Sequence, residues 1–310
     1  MSIVPDSPAS TPTATRHRLV VPALVAGVVA ISFAAIFLKL AEPTHALTRA
    51  GLRLLMAAAM LLPAVVRGWR RGRLQPVLKW AVLAGGLYAV HFGAWIWSLD
   101  LTTVAASVTL VTATPLGLAV VGMATGRDRP EGRLWVSLAL GAVGVLVVGG
   151  FDLSLSGRAL AGDGLAALGA VAIGGYLLLA RRLAAGLDIW SFMGVACAVG
   201  GSLLMATAAV AGVGLAPASG RSLFYIFLSA LVPQLVGHGL LTWSLRHTTP
   251  TVVGLATLGE PVGSTLLAWA WLGEAAPAVI LVGCAVVLAS LVLALVRPGR
   301  AADAVAVAGP

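Results

Sequence analysis

The sequence predicts an all-α integral membrane protein of ten transmembrane helices, arranged as two inverted five-helix repeats. Three observations carry that reading. Of 310 residues, 59% are hydrophobic and 10% charged, whereas an ordinary soluble domain carries about 25% charge. The apolar residues arrive in blocks of about twenty, the length that crosses a hydrocarbon core of about 30 Å as helix. A set of residue matches also recurs at one offset of 146 residues. The same features exclude other classes. Cys197 and Cys284 both sit inside apolar blocks, which rules out a secreted disulfide scaffold. The net charge of +9 is split into short clusters between apolar runs, which argues against a nucleic-acid partner.

Residues 1–18 form a tail rich in Pro, Ser and Thr, expected to be disordered and cytoplasmic. The first span, 19–38, follows Arg16 and Arg18. It is too long for a signal peptide and has no small-residue cleavage site after it. The second, 44–66, carries Arg49 and Arg53 and ends at a basic cluster from Arg67 to Lys79. The third, 79–98, holds Tyr88, His91 and Trp95, with Trp97 placed as an interfacial belt residue. The fourth, 103–125, contains Thr114-Pro115, and the loop Arg127-Asp128-Arg129 leads to the fifth, 134–150. The sixth, 162–180, stops at Arg181-Arg182, and the seventh is 189–212. The eighth, 222–243, carries Gln234 and His238; the ninth, 250–272, carries Glu260-Pro261; the tenth, 277–296, leads into a tail over 297–310. Backbone polar groups find no water in lipid, so each run is expected to be helical.

Scored on alternate sides, the loops and tails hold fifteen Lys or Arg on the side of both termini. The other side holds four, or five with Arg53. That bias places both termini in the cytoplasm, as an even number of spans requires. Trp97-Ser98-Leu99 and Thr102-Thr103 recur as Trp243-Ser244-Leu245 and Thr248-Thr249. The same shift of 146 puts Gly93 on Gly239, Pro115 on Pro261 and Asp128 on Glu274. The chain therefore reads as halves 19–150 and 162–296. Five spans per half is odd, so the second half inserts upside down. Loop charge agrees: Asp100 aligns with Arg246, and the Arg127–Arg129 loop aligns with Gly273-Glu274-Ala275.

Several stretches resemble the EamA-like permeases of the drug/metabolite transporter superfamily. Gly51-Leu52-Arg53-Leu54-Leu55 is similar to the start of that family's second helix, and Thr114-Pro115 to its fourth. Leu258-Gly259-Glu260-Pro261-Val262, continuing to Leu272-Gly273-Glu274, is similar to its ninth helix. Asp128 departs from the family's usual Glu in the first half. The resemblance implies a permease for amino acids or other small metabolites.

Polar residues at membrane depth are the candidate site, because they are costly there and face the protein interior. Glu260 lies thirteen residues after His247 and fourteen before Glu274, about 20 Å from either end. It can take up and release a proton, which suits proton coupling, or bridge helices structurally. Pro261 lacks an N–H and frees carbonyls near Ala256 and Thr257, as Pro115 does in the pseudo-equivalent Thr114 segment. Arg53 is read as a substrate or gating residue or as an ion-pair partner of Glu260, and Arg49 as a snorkelling residue. His91 and His238, in corresponding spans, relay protons, line the cavity or simply satisfy a carbonyl. Gln234 lies one turn from His238, and Tyr88 and Trp95 share the His91 face. Gly117, Gly122, Gly126, Gly259 and Gly263 are spaced for close helix contact.

No H-E-x-x-H, G-x-S-x-G or phosphate-loop motif occurs, so no catalytic residue, metal or cofactor is expected. The expectation is a secondary transporter, not an enzyme, in a bacterial inner membrane. It would move a small amino-acid-like or other polar organic solute by alternating access, in the export direction, with a proton as a possible coupling ion. An exporter of lipophilic cations is the alternative within transport, and an intramembrane enzyme the alternative outside it.

Overall fold

The computed structural model describes residues 19–126, 132–150, 156–183, 188–273 and 278–295. Among these residues the fold is helical, with no strand. In chain order the helices are α1 (Val20–Leu40), α2 (Ala46–Arg70), α3 (Leu78–Ser98), α4 (Val104–Val111), α5 (Thr114–Thr125), α6 (Gly132–Gly150) and α7 (Gly157–Leu183). They continue as α8 (Ile189–Val210), α9 (Gly220–Ser229), a π-helical segment Ala230–His238, α10 (Gly239–Ser244), α11 (Pro250–Thr257), α12 (Gly259–Leu272) and α13 (Ala278–Leu295). Eight helical stretches are long and apolar enough to cross a membrane. Gly132–Val147 and Leu281–Ala294 are shorter apolar helices. The tails and the charged residues Asp128, Asp152 and Glu274 lie outside the described residues.

Three of the expected spans are interrupted. The fourth splits at Thr112–Ala113 into α4 and α5, and the ninth splits at Leu258 into α11 and α12. The two breaks are 146 residues apart. Thr114 and Pro115 open α5, and Gly259, Glu260 and Pro261 open α12. A proline in the first turn lacks an N–H that would have no helical partner anyway, so the break settles just before it. In the eighth, Pro233 lies inside the π segment, where its missing N–H interrupts the ladder and the helix widens for nine residues.

Paired caps mark the repeat. Thr103 Oγ1 accepts from Ala106 N at 3.2 Å, and Thr249 Oγ1 accepts from Val252 N at 3.3 Å, each at the start of a broken span. Gly126 and Gly273 end α5 and α12 in the left-handed region, at φ 67° and 70°, which glycine adopts without a Cβ clash.

Packing follows the same symmetry. The most extensive contacts are α2 with α8 and α6 with α13, each joining one half's helix to its counterpart in the other. Both pairs run antiparallel. Along α2 and α8, Gly51 faces Met205, Leu55 faces Gly201, Leu61 faces Gly194 and Ala64 accepts from Ser191. Along α6 and α13, the Ser137 hydroxyl bonds to the Ser290 carbonyl, and Gly144 lies against Val287 and Gly283. Contacts of α3 with α7 are matched by those of α1 with the π segment and α10. Helices gain little by burying apolar groups when lipid is the alternative, so close approach through glycine supplies the van der Waals contact. Gly259 and Gly263 do this against Val28 and Ser32 of α1, whereas Gly117 faces open space.

Candidate functional site

α2 brings Arg49 and Arg53 into the protein one turn apart, and both are fully buried. Arg49 does not snorkel. Its Nη1 donates to the Leu38 carbonyl at 2.7 Å, and its Nη2 reaches both carboxylate oxygens of Asp100 at 2.5 Å. Arg158 Nη2 donates to the Asp100 carbonyl at 2.8 Å. This clasp joins α1, α2, the α3–α4 loop and α7 at one end of the bundle. A carboxylate within reach wins over the interface because a charge-assisted bond leaves less of the guanidinium unsatisfied.

Arg53, one turn deeper, has no such partner. Its Nη2 donates to Gln234 Oε1 at 3.1 Å, and Gln234 Nε2 in turn lies 3.7 Å from Cys197 Sγ. The guanidinium carbon sits 4.5 Å from the Phe92 ring centre and 5.9 Å from that of Trp95. Its Nε and Nη1 meet no acceptor among the described residues. The rings hold the cation by their quadrupoles, and the ion pair with Glu260 weighed from the sequence is not made within 4.0 Å.

A cavity of about 40 Å³ lies where the two halves meet, lined by Glu260, Thr114, His91, His238 and Trp95 among others. It draws on α1, α3, α4, α5, α7, α10, α11 and α12 and the π segment. Glu260 and Thr114 stand at the starts of α12 and α5, so the two helix breaks present a carboxylate and a hydroxyl to the same space. Thr114 Oγ1 donates to the Val111 carbonyl at 2.9 Å. That volume is room for a few water molecules.

His91 Nδ1 lies 2.9 Å from the Gly169 carbonyl. A carbonyl only accepts, so Nδ1 carries the proton and Nε2 is the remaining ring nitrogen. The His91 ring stacks on Trp95 at 6.1 Å and 9°, and lies 6.3 Å from His238. Arg53, Gln234 and Tyr88 are not among the lining residues; they form a buried layer beside it. Among the described residues, no group of three or more His, Cys, Asp or Glu gathers to hold a metal.

Sequence reasoning passed over Tyr176, Thr242, Thr112 and Thr257. Tyr176 of α7 stacks on Tyr88 at 4.2 Å, and its hydroxyl is 3.2 Å from Thr242 Oγ1. The three threonines line the cavity or its wall. Tyr176 lies five residues before Arg181, near the end of its span, so nothing in its depth singled it out.

The model of the EamA-like transporter family matches the chain twice, over residues 18–150 and 160–296. The chain belongs to that family. This EamA-like protein is thus a multi-pass membrane protein of a transporter family, built of two repeats. A search of curated proteins gives no significant match. One solved structure, described only as a crystal structure of a protein, aligns with TM-score 0.73 at 18% identity. The alignment covers 90% of this chain and 98% of the other. At that identity the likeness shows the fold alone.

Proposed function

We propose that this EamA-like protein is a secondary transporter that exports a small polar organic solute across the bacterial cytoplasmic membrane by alternating access. In this reading the ten helical stretches are ten spans in two inverted halves, 19–150 and 162–296, with both termini cytoplasmic. The antiparallel run of α2 against α8 and of α6 against α13 supports the inversion. A two-fold axis in the membrane plane makes counterparts antiparallel, whereas an axis along the normal makes them parallel. The excess of basic residues on the side of the termini supports the orientation.

One observation carries the transport site. Glu260 and Thr114, at equivalent helix breaks of the two halves, face one cavity flanked by His91 and His238. A carboxylate at this depth either binds a cationic group of the solute or carries a proton, and competition between the two couples their movements. The neighbouring histidines supply a path for that proton, and Thr114 and the adjoining threonines supply hydrogen bonds to a polar solute. Solute polarity follows from this lining.

Among the described residues, Glu260 is also the only carboxylate or basic side chain lining the cavity, apart from the two histidines. That favours, as a second reading, a lipophilic cation held between Glu260 and Trp95.

The deciding experiment is uptake of pooled labelled metabolites, and separately of a labelled lipophilic cation, into proteoliposomes with and without a pH gradient. Saturable, gradient-dependent uptake of a metabolite that is lost in Glu260→Gln supports the main reading. Uptake of the lipophilic cation alone supports the second. Uptake indifferent to both gradient and substitution sinks proton coupling and returns Glu260 to a structural role.

A further inference from the structure

A second opening lies away from the candidate transport site, at the end of the bundle opposite the Arg49 clasp. It is a groove of about 600 Å³ walled by Leu118, Val121, Leu178 and Leu179, and it ends at Arg181 and Arg182. Its polarity is sorted along its length. From Leu118 to Thr125 it follows α5 for seven residues, about 10 Å, with Leu118 and Val121 on that wall and Leu178 and Leu179 on the α7 wall. Gly122, Thr125, Thr249 and Pro250 complete the lining. The charge sits only at the far end, where α7 finishes. A length of about 10 Å falls within one leaflet's share of a hydrocarbon core about 30 Å thick.

The two arginines are placed rather than loose. Arg181 Nη1 donates to the Leu245 carbonyl at 2.5 Å, and the Arg182 guanidinium carbon lies 5.9 Å from the Trp80 ring centre. Both side chains are exposed, and among the described residues neither has a carboxylate within 4.0 Å. The start of α11, capped by Thr249, borders the same end and adds the positive pole of a helix. Three sources of positive potential therefore converge at one end of an apolar trough.

We propose that this groove holds an anionic phospholipid, with an acyl chain between α5 and α7 and the phosphate at Arg181 and Arg182. A water-filled entrance for a polar solute would need mostly polar walls to accompany the arginines, and here Leu118, Val121, Leu178 and Leu179 outnumber the hydroxyls of Thr125 and Thr249. An amphiphile matches the pattern end for end, as in basic pockets between transmembrane helices that bind lipid headgroups. The groove is also shared between halves, with α5 from the first and α7 and α11 from the second. A bound lipid would therefore bridge them.

The test is native mass spectrometry of the full chain in detergent, titrated with dioleoyl phosphatidylglycerol or dioleoyl phosphatidylcholine. The expected result is at least about tenfold tighter binding of phosphatidylglycerol. The double substitution R181Q/R182Q should erase that preference, and Val121→Trp, which fills the trough, should weaken both lipids. Glycerol phosphate at millimolar concentration should not compete. An unchanged preference in R181Q/R182Q overturns the proposal, as does unchanged binding in Val121→Trp. Full competition by glycerol phosphate also overturns it, because the site would then take a soluble anion.

Discussion

Glu260 and Arg53 are both buried charges, and they answer to different surroundings. Glu260 faces the cavity, so Glu260→Gln keeps the volume and removes only the ability to carry charge or proton. Gradient-driven transport by this variant is expected to fall below about 1% of wild type, as for loss of a group that chemistry or coupling requires. Its thermal stability should be close to unchanged, and uptake beside a melting curve checks both. Arg49 behaves oppositely. Removing it leaves Asp100 and the Leu38 carbonyl without their donor, so Arg49→Ala should destabilise the fold by about 2–4 kcal/mol. Arg49→Lys should recover only part of this, because an ammonium cannot bond to both carboxylate oxygens and the carbonyl with one planar fork. Denaturant or thermal unfolding of the three proteins gives the comparison. That Glu260 is buried inside the protein was legible in the sequence, because a charged residue in the middle of an apolar run is held in the interior. The partner of Arg49 was not, because Asp100 is 51 residues away and hydropathy says nothing of which loop folds over which helix.

At the scale of elements, the interruptions carry the site. The break at Leu258 and its counterpart at Thr112–Ala113 were half legible: Pro261 and Pro115 announced them, and the shift of 146 paired them. The π segment was not, since Pro233 alone does not say whether a helix kinks, breaks or widens. That segment sets the rotation of Gln234 towards Arg53 and of His238 towards the cavity. Pro233→Ala would allow an ordinary helical ladder and turn both side chains out of register. We expect transport to be lost while helix content by circular dichroism is kept. Glycine contacts give a second element-scale prediction. A Cβ at Gly144 would meet backbone atoms of Val287 and Gly283 at 2.8 and 2.9 Å. At Gly51 the nearest atoms, at 2.7 and 2.8 Å, belong to the flexible Met205 side chain. Gly144→Ala should therefore destabilise by about 1–3 kcal/mol and Gly51→Ala by less, as parallel melting curves would show.

For the whole molecule, topology is the first thing to measure. Cys197 and Cys284 are buried and should not react with an impermeant maleimide. Ala216→Cys, in the exposed α8–α9 loop, should label in intact cells, and Arg73→Cys, in the α2–α3 loop, only after permeabilisation. The reverse pattern would place both termini outside. The multi-pass, two-repeat plan was legible in the sequence because lipid enforces it: apolar length and internal repetition each leave a mark in one dimension. The assembly of the site was less so. Five candidates share the cavity, while Arg53, Gln234 and Tyr88 sit beside it. Tyr176 and the threonines entered only when α7 and α10 came together in three dimensions.

The smallness of the cavity has a thermodynamic consequence. If the protein transports a metabolite as proposed, a cavity of about 40 Å³ is too small to hold it, and binding requires a wider arrangement of the same helices. The affinity measured for any solute is then its intrinsic affinity scaled by the fraction of molecules already open. The clasp of Arg49, Asp100 and Arg158 joins α1, α2, the α3–α4 loop and α7 at one end, and on the same proposal it would lower the open fraction on that side. A substitution there, far from any group that meets the solute, would tighten apparent binding from that side and leave the intrinsic contacts untouched.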